Sequence, residues 1–218
     1  MKTRTDNKGK CYRVMGVLLI TLLGLCVCVT SCNSDDDDKV PSYFIDLVEA
    51  DTNTDSLVSL IRLDNGKTYQ VSQSIKAPVP DTTYRCLCTY ELDSNKILAY
   101  GLEHVFSSKP RKVAAFDTLI TDPVKFISSW KSGGYLNLQI GVMTTDADYH
   151  QFAFCEDTIA DNGTYKTACF TLVHKRPKKD NESYTKTMFL CIPISSYTDC
   201  DSFAVSVNTY EGLRQIVR

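Results

Sequence analysis

The sequence predicts an all-β protein made of two consecutive modules, and three observations carry that prediction. From Ser42 onward, short runs of β-branched and aromatic residues recur between turn signals. No helical period appears in them, and several alternate apolar and polar residues with a period of two. Composition is that of a folded domain: 218 residues, 43% hydrophobic and 23% charged, values that exclude wholesale disorder and collagen-like or mucin-like chains. A formal net charge of −2 lacks the basic footprint of a nucleic-acid binder.

In the first module, Tyr43 to Val48 reads as a strand. Leu57 to Leu63 and Lys67 to Val71 flank Asp64-Asn65-Gly66, whose Asn-Gly pair suits the positive φ of a tight hairpin. Ser74 to Thr82 holds Pro78 and Pro80 and is read as a connection. Two longer strands follow, Thr83 to Leu92 and Lys96 to Phe106, joined at Asp93-Ser94-Asn95. Five antiparallel strands with a loop between the third and fourth fit a small OB-like five-stranded barrel over residues 42–107.

Ser107 to Pro110 interrupts the pattern, and residues 108–123 are read as a linker. Seven strands are then expected: Val124 to Trp130, Tyr135 to Met143, His150 to Cys155, Lys166 to His174, Tyr184 to Ile194, Ser202 to Thr209 and Leu213 to Val217. That spacing predicts an antiparallel Ig-like β-sandwich over residues 124–218. Leu136, Leu138, Ile140 and Val142 alternate with Asn137, Gln139 and Gly141, which predicts one buried and one wetter face. Met188, Leu190, Ile192 and Ile194 repeat the pattern. Lys175-Arg176-Pro177-Lys178-Lys179 is a basic turn, too short for a nucleic-acid patch.

The N-terminus reads as an address. Lys2, Arg4, Lys8, Lys10 and Arg13 precede an apolar run from Val14 to Val29, shorter than the roughly 20 residues that span a bilayer comfortably. Val29-Thr30-Ser31-Cys32 resembles the bacterial lipobox, which implies cleavage after residue 31 and acylation of Cys32. Removing residues 1–31 takes away five basic side chains and one acidic one. The mature chain then holds 19 basic and 25 acidic residues, net −6 over 187 residues. Residues 32–41, with Asp35 to Asp38, form an acidic tether that resembles the export signal of Bacteroidota surface lipoproteins. The expected location is the outer membrane, lipid-anchored and facing the exterior, with the periplasmic face as the alternative.

Trp130-Lys131-Ser132-Gly133-Gly134-Tyr135-Leu136-Asn137-Leu138 resembles the signature of the NigD-like lipoproteins of Bacteroidota. His150, Leu172-Val173-His174 and Asn208-Thr209-Tyr210-Glu211-Gly212 extend the resemblance over nearly the whole mature chain. It implies an OB-like domain followed by a β-sandwich, and it carries over no catalytic or ligand residue.

Residue chemistry gives no reaction. Of ten cysteines, Cys11, Cys26 and Cys28 leave with the signal peptide and Cys32 takes lipid. Six remain, Cys86, Cys88, Cys155, Cys169, Cys191 and Cys200, and an exported location permits disulfides. Cys86 and Cys88 share an apolar strand face and read as core. Cys155 with Cys169, and Cys191 with Cys200, are the candidate bridges, against the competing expectation of free buried thiols. His104 reads as a packed or rim imidazole. His150 and His174 approach each other if their strands pair, either as a structural pair or as the seed of a hydrolase site. No metal spacing, nucleophile elbow or phosphate loop occurs. Asp146/Asp148 and Asp199/Asp201 read as turn residues, and Gly133-Gly134 as a turn.

The expected function is therefore non-enzymatic: an accessory or binding lipoprotein with no cofactor, whose partner is an envelope protein or extracellular macromolecule. The alternative is a glycan-binding module of a polysaccharide-uptake system. That alternative requires coplanar exposed aromatics, for which Tyr69, Tyr84, Tyr90 and Tyr100 are first-domain candidates, with core packing their default role.

Overall fold

The computed structural model describes residues 42–145, 149–177 and 184–218. The signal segment, Cys32 and the acidic tether lie outside the described residues, as do Asp146, Asp148, Lys178 and Lys179. Strands β1 (Phe44–Thr52), β2 (Val58–Leu63), β3 (Thr68–Val71), β4 (Thr83–Asp93) and β5 (Lys96–His104) close a barrel in the order β1-β2-β3-β5-β4. Four contacts are antiparallel; the closing β3–β5 contact is parallel, which the run of strands along the chain does not reveal. Gly66 takes φ +84° in the β2–β3 hairpin, as its Asn-Gly signal requires. The barrel interior is filled by Val48, Ile61, Cys86, Cys88, Tyr90 and Ile97.

The remaining strands are β6 (Phe106–Ser107), β7 (Arg111–Lys112), β8 (Lys125–Ser132), β9 (Tyr135–Thr144), β10 (Gln151–Asp161), β11 (Lys166–Lys175), β12 (Tyr184–Pro193), β13 (Ser202–Thr209) and β14 (Gly212–Val217). They form two sheets, β14-β13-β11-β10-β7 and β6-β12-β9-β8. Between the sheets lies a core that includes Leu138, Ile140, Phe154, Phe170, Leu190 and Val205. Each such side chain contributes roughly 1.5–3 kcal/mol by leaving water.

Four expectations need correction. The sandwich is mixed, because β11 and β13 run parallel, as do the short pairs β10–β7 and β12–β6. Phe106 belongs to the sandwich and not to the fifth barrel strand; it pairs with Leu190 and packs on the sandwich core. The stretch 108–123 is no free linker. It supplies β7, and Asp122 and Ile120 exchange backbone hydrogen bonds with His174. Strand β10 runs on to Asp161 through a bulge after Glu156, although Glu156-Asp157-Thr158 looks like a polar strand end.

Candidate functional site

The polar face of β9 is where the two modules meet. Leu136, Leu138, Ile140 and Val142 point into the sandwich, so Tyr135 and Asn137 point outward, and the barrel covers them. Asn137 is completely buried, which corrects the expectation of a wet face. Leu47, Leu87 and Val105 of the barrel pack there against Trp130, Tyr135, Phe189 and Cys191 of the sandwich.

A hydrogen-bonded network runs through this junction. Arg85, whose side chain is 1% exposed, donates from Nη1 to Asp64 Oδ1 at 2.5 Å and from Nη2 to Asp64 Oδ2 at 2.7 Å. Its Cζ lies 4.2 Å from the centre of the Tyr135 ring. Ser132 Oγ donates to Asp64 Oδ2 at 2.5 Å. Asn137 donates from Nδ2 to Ser132 Oγ at 2.9 Å and accepts at Oδ1 from Arg85 and from the Cys191 thiol. Tyr135 donates its hydroxyl to Glu49, which also binds Arg62. Burial alone would lower the Arg85 pKa, but the hydrogen bond and charge of Asp64 outweigh it and hold the guanidinium charged. Burial pushes the Cys191 thiol up to about 11, against the pull of Arg85. The network is a lock in which Arg85, Asp64, Ser132 and Asn137 turn donors and acceptors on each other, with Arg85 Nε left over.

Beside the lock, β1 and β2 separate. β4 pairs with β1 from Phe44 onward, whereas β2 pairs with it only from Val48. The second edge of Phe44–Leu47 therefore has no strand beside it among the described residues. The gap opens a groove of about 680 Å³. One wall is Phe44, Ile45, Tyr69, Leu87 and Leu92 of the barrel; the other is Trp130 and Phe189 of the sandwich. Asp46 accepts the Tyr90 hydroxyl at 2.8 Å, and Lys67 lies at the rim.

The model of the NigD-like C-terminal β-sandwich domain matches residues 107–217. The chain belongs to the NigD-like family. A NigD-like immunity protein from Bacteroides caccae is 25% identical, with a TM-score of 0.60 over 82% of this chain and 92% of that one. A candidate toxin-related protein from Parabacteroides distasonis is 18% identical, with a TM-score of 0.62 over 81% and 92%. A candidate lipoprotein from Bacteroides fragilis is 11% identical, with a TM-score of 0.59 over 81% and 96%. These last two likenesses are of fold alone. No curated protein matches the chain.

The residues of this chain that match the NigD-like pattern fall into two structural knots. Trp130, Ser132, Gly133, Tyr135 and Asn137 build the junction, and an added Cβ on Gly133 would meet Asp64 Oδ1 at 2.1 Å. The second knot clasps residues 120–124 to the sandwich. His174 Nδ1 donates to the Asp122 carbonyl at 2.9 Å, so its Nε2 accepts from His150 Nδ1 at 2.9 Å. Phe152 stacks on His174, and Asn208 Nδ2 donates to the Thr121 carbonyl at 2.6 Å. Desolvation lowers the His174 pKa and keeps the ring neutral. The two histidines do meet, as a linked pair clasping a backbone carbonyl.

Other sequence candidates resolve individually. His104 sits exposed at the barrel rim, edge-on to Tyr84. Cys86, Cys88, Cys155, Cys169, Cys191 and Cys200 are all free thiols, so neither candidate bridge forms. Cys155 lies opposite Thr171, two residues out of register with Cys169, and the bulge after Glu156 then sets Cys169 opposite Thr158. Cys191 faces the barrel while Cys200 packs on the sandwich core. Asp201 accepts the Lys166 backbone N–H at 2.7 Å, a turn role, and Asp199 accepts the Thr198 hydroxyl. Tyr90 is core, Tyr69 and Tyr84 are half-buried against it, and Tyr100 is exposed. The groove itself escaped sequence reading, because nothing in the strand pattern marks where β1 parts from β2.

Proposed function

We propose that this protein is a non-enzymatic, lipid-anchored binding protein of the outer membrane, exposed at the surface, that holds an extended segment of a partner protein in the groove between barrel and sandwich. The unpaired edge of Phe44–Leu47 carries this reading. A strand edge in an aromatic-walled groove offers backbone hydrogen bonds for affinity and side-chain pockets for selectivity, the requirements of strand addition. Of the polar groups that line the groove, Asp64 and Ser132 are engaged in the lock and Asp46 by Tyr90, which supports holding over chemistry. An immunity role, which the Bacteroides caccae relative carries in its name, would be a partner-binding task of this kind. Sugar stacking is less well served: the exposed pair Tyr43 and Tyr100 stands at 76° instead of coplanar.

The test places a photo-crosslinking residue at Leu92, on the groove, and separately at Tyr210, exposed on the sandwich. A single protein adduct in cells from position 92 and none from position 210 is expected. Adducts from both positions or from neither would overturn the reading, and a polysaccharide adduct from position 92 would replace it with the glycan one.

A further inference from the structure

One exposed apolar face lies outside the lock, at the outer lip of the groove, where it shares Ile45 with the groove wall. Tyr43, Ile45 and Tyr100 are 54%, 65% and 52% exposed, and the rings of Tyr43 and Tyr100 meet edge-on with centroids 5.1 Å apart. Tyr43 directly precedes β1 and Ile45 is the second residue of that strand. Phe44 and Leu92, 43% and 41% exposed, continue the apolar surface around the barrel mouth. The Tyr100 hydroxyl donates to Glu91 at 2.9 Å, and Lys67 shares the groove lining with Phe44, Ile45 and Leu92. A contiguous apolar patch of this kind marks a contact surface.

The position of the patch in the chain says what covers it. Nine residues, 33–41, separate Cys32 from Ser42, a reach of at most about 35 Å when fully extended. Tyr43 and Ile45 follow directly. A chain anchored at Cys32 therefore keeps this face within one tether length of the bilayer. The effective concentration of surface presented to it is on the order of millimolar, enough for a contact too weak to act on a free protein. Tyrosines beside aliphatic side chains suit the boundary between headgroups and acyl chains, where a ring can bury its body and keep its hydroxyl wet.

We propose that Tyr43, Ile45 and Tyr100 dock the barrel onto the interfacial layer of the membrane that holds the anchor. The inference rests on the lipid-anchored reading of Cys32. It orients the molecule, with the barrel against the bilayer and the groove opening beside the membrane surface. The contact is apolar, so it requires no anionic lipid and survives added salt, unlike a polybasic attachment.

The test uses the lipidated full chain with Tyr100→Trp as a reporter, reconstituted in phosphatidylcholine vesicles whose acyl chains carry bromine near the headgroup. The unsubstituted chain, with Trp130 alone, supplies the background. Expected are a blue shift and loss of reporter emission, unchanged by salt and abolished when Tyr43→Ser and Ile45→Ser are added. These substitutions fall on exposed side chains, and an unchanged thermal midpoint verifies the fold. Vesicle flotation is read in parallel. Flotation with no quenching overturns the docking and leaves the anchor standing; failure to float, with an unmodified Cys32 by mass spectrometry, overturns both. Shielding of the reporter by an envelope protein in the absence of lipid would assign the face to a protein partner and overturn the docking as well.

Discussion

Gly133 has φ +58°, and its added Cβ would collide with an Asp64 carboxylate already held by Arg85 and Ser132. Gly134 has φ +80° and open space around it. The two substitutions should therefore differ. Gly134→Ala is expected to cost about 1–2 kcal/mol, the backbone penalty alone, whereas Gly133→Ala adds displacement of Asp64 from a buried arginine and costs more. Urea unfolding of both variants measures the difference, and equal losses would refute the role given to Asp64. Thiol reactivity is decided at the same scale. Burial pushes Cys86 up to about 11 and Cys88 up to about 12, so both remain protonated at neutral pH. Alkylation of the native chain should spare Cys86, Cys88, Cys155 and Cys191, while the denatured, unreduced chain labels all six internal cysteines. Fewer than six labels would reveal a disulfide.

Among the elements, the clasp between β10, β11 and the 120–124 segment depends on a neutral His174. Desolvation holds its pKa below the unfolded value of 6.5, so the unfolded chain binds the proton first as pH falls. The contribution is intact above pH 6.5 and is lost progressively below it. His174→Gln should flatten that part of the stability curve, at some loss of stability at neutral pH. A denaturation series between pH 7 and pH 5 provides the measurement, and an unchanged slope in the variant would remove His174 as the cause. The strand pattern made β10, β11 and the pairing of these histidines legible. It could not show that both serve a backbone carbonyl 52 residues away from His174 in the chain, because no local pattern encodes that contact.

For the whole molecule, the lock makes two modules into one compact unit from Ser42 to Arg218. Calorimetry should show a single cooperative transition in the native chain. Asp64→Ala leaves a buried guanidinium without its carboxylate and is expected to cost about 3–5 kcal/mol. Since the loss falls on the junction and not within either core, the transition should broaden or split into barrel and sandwich components. A single sharp transition at lower temperature would show instead that the cores alone enforce cooperativity. The same junction fixes the walls of the groove relative to each other, so Asp64→Ala should also weaken any crosslink formed from position 92.

The sequence by itself determined the all-β class, the five barrel strands, the seven principal sandwich strands and the family signature. These are local properties: period-two alternation, Asn-Gly and Gly-Gly turns, and a short motif are all written within a few residues. Only the tertiary structure decided what the motif is for. Ser132 and Asn137 look solvent-facing on their own strands, yet Ser132 is half-buried and Asn137 wholly buried because Arg85 and Asp64 arrive from a different domain. Tertiary structure likewise decided that the four cysteines of the candidate bridges are thiols, since the β10–β11 register sets Cys155 opposite Thr171, two residues from Cys169, and Cys191 and Cys200 face different cores. Alternation tells which side of a strand a residue faces, but what lies on that side depends on surfaces brought together from distant parts of the chain.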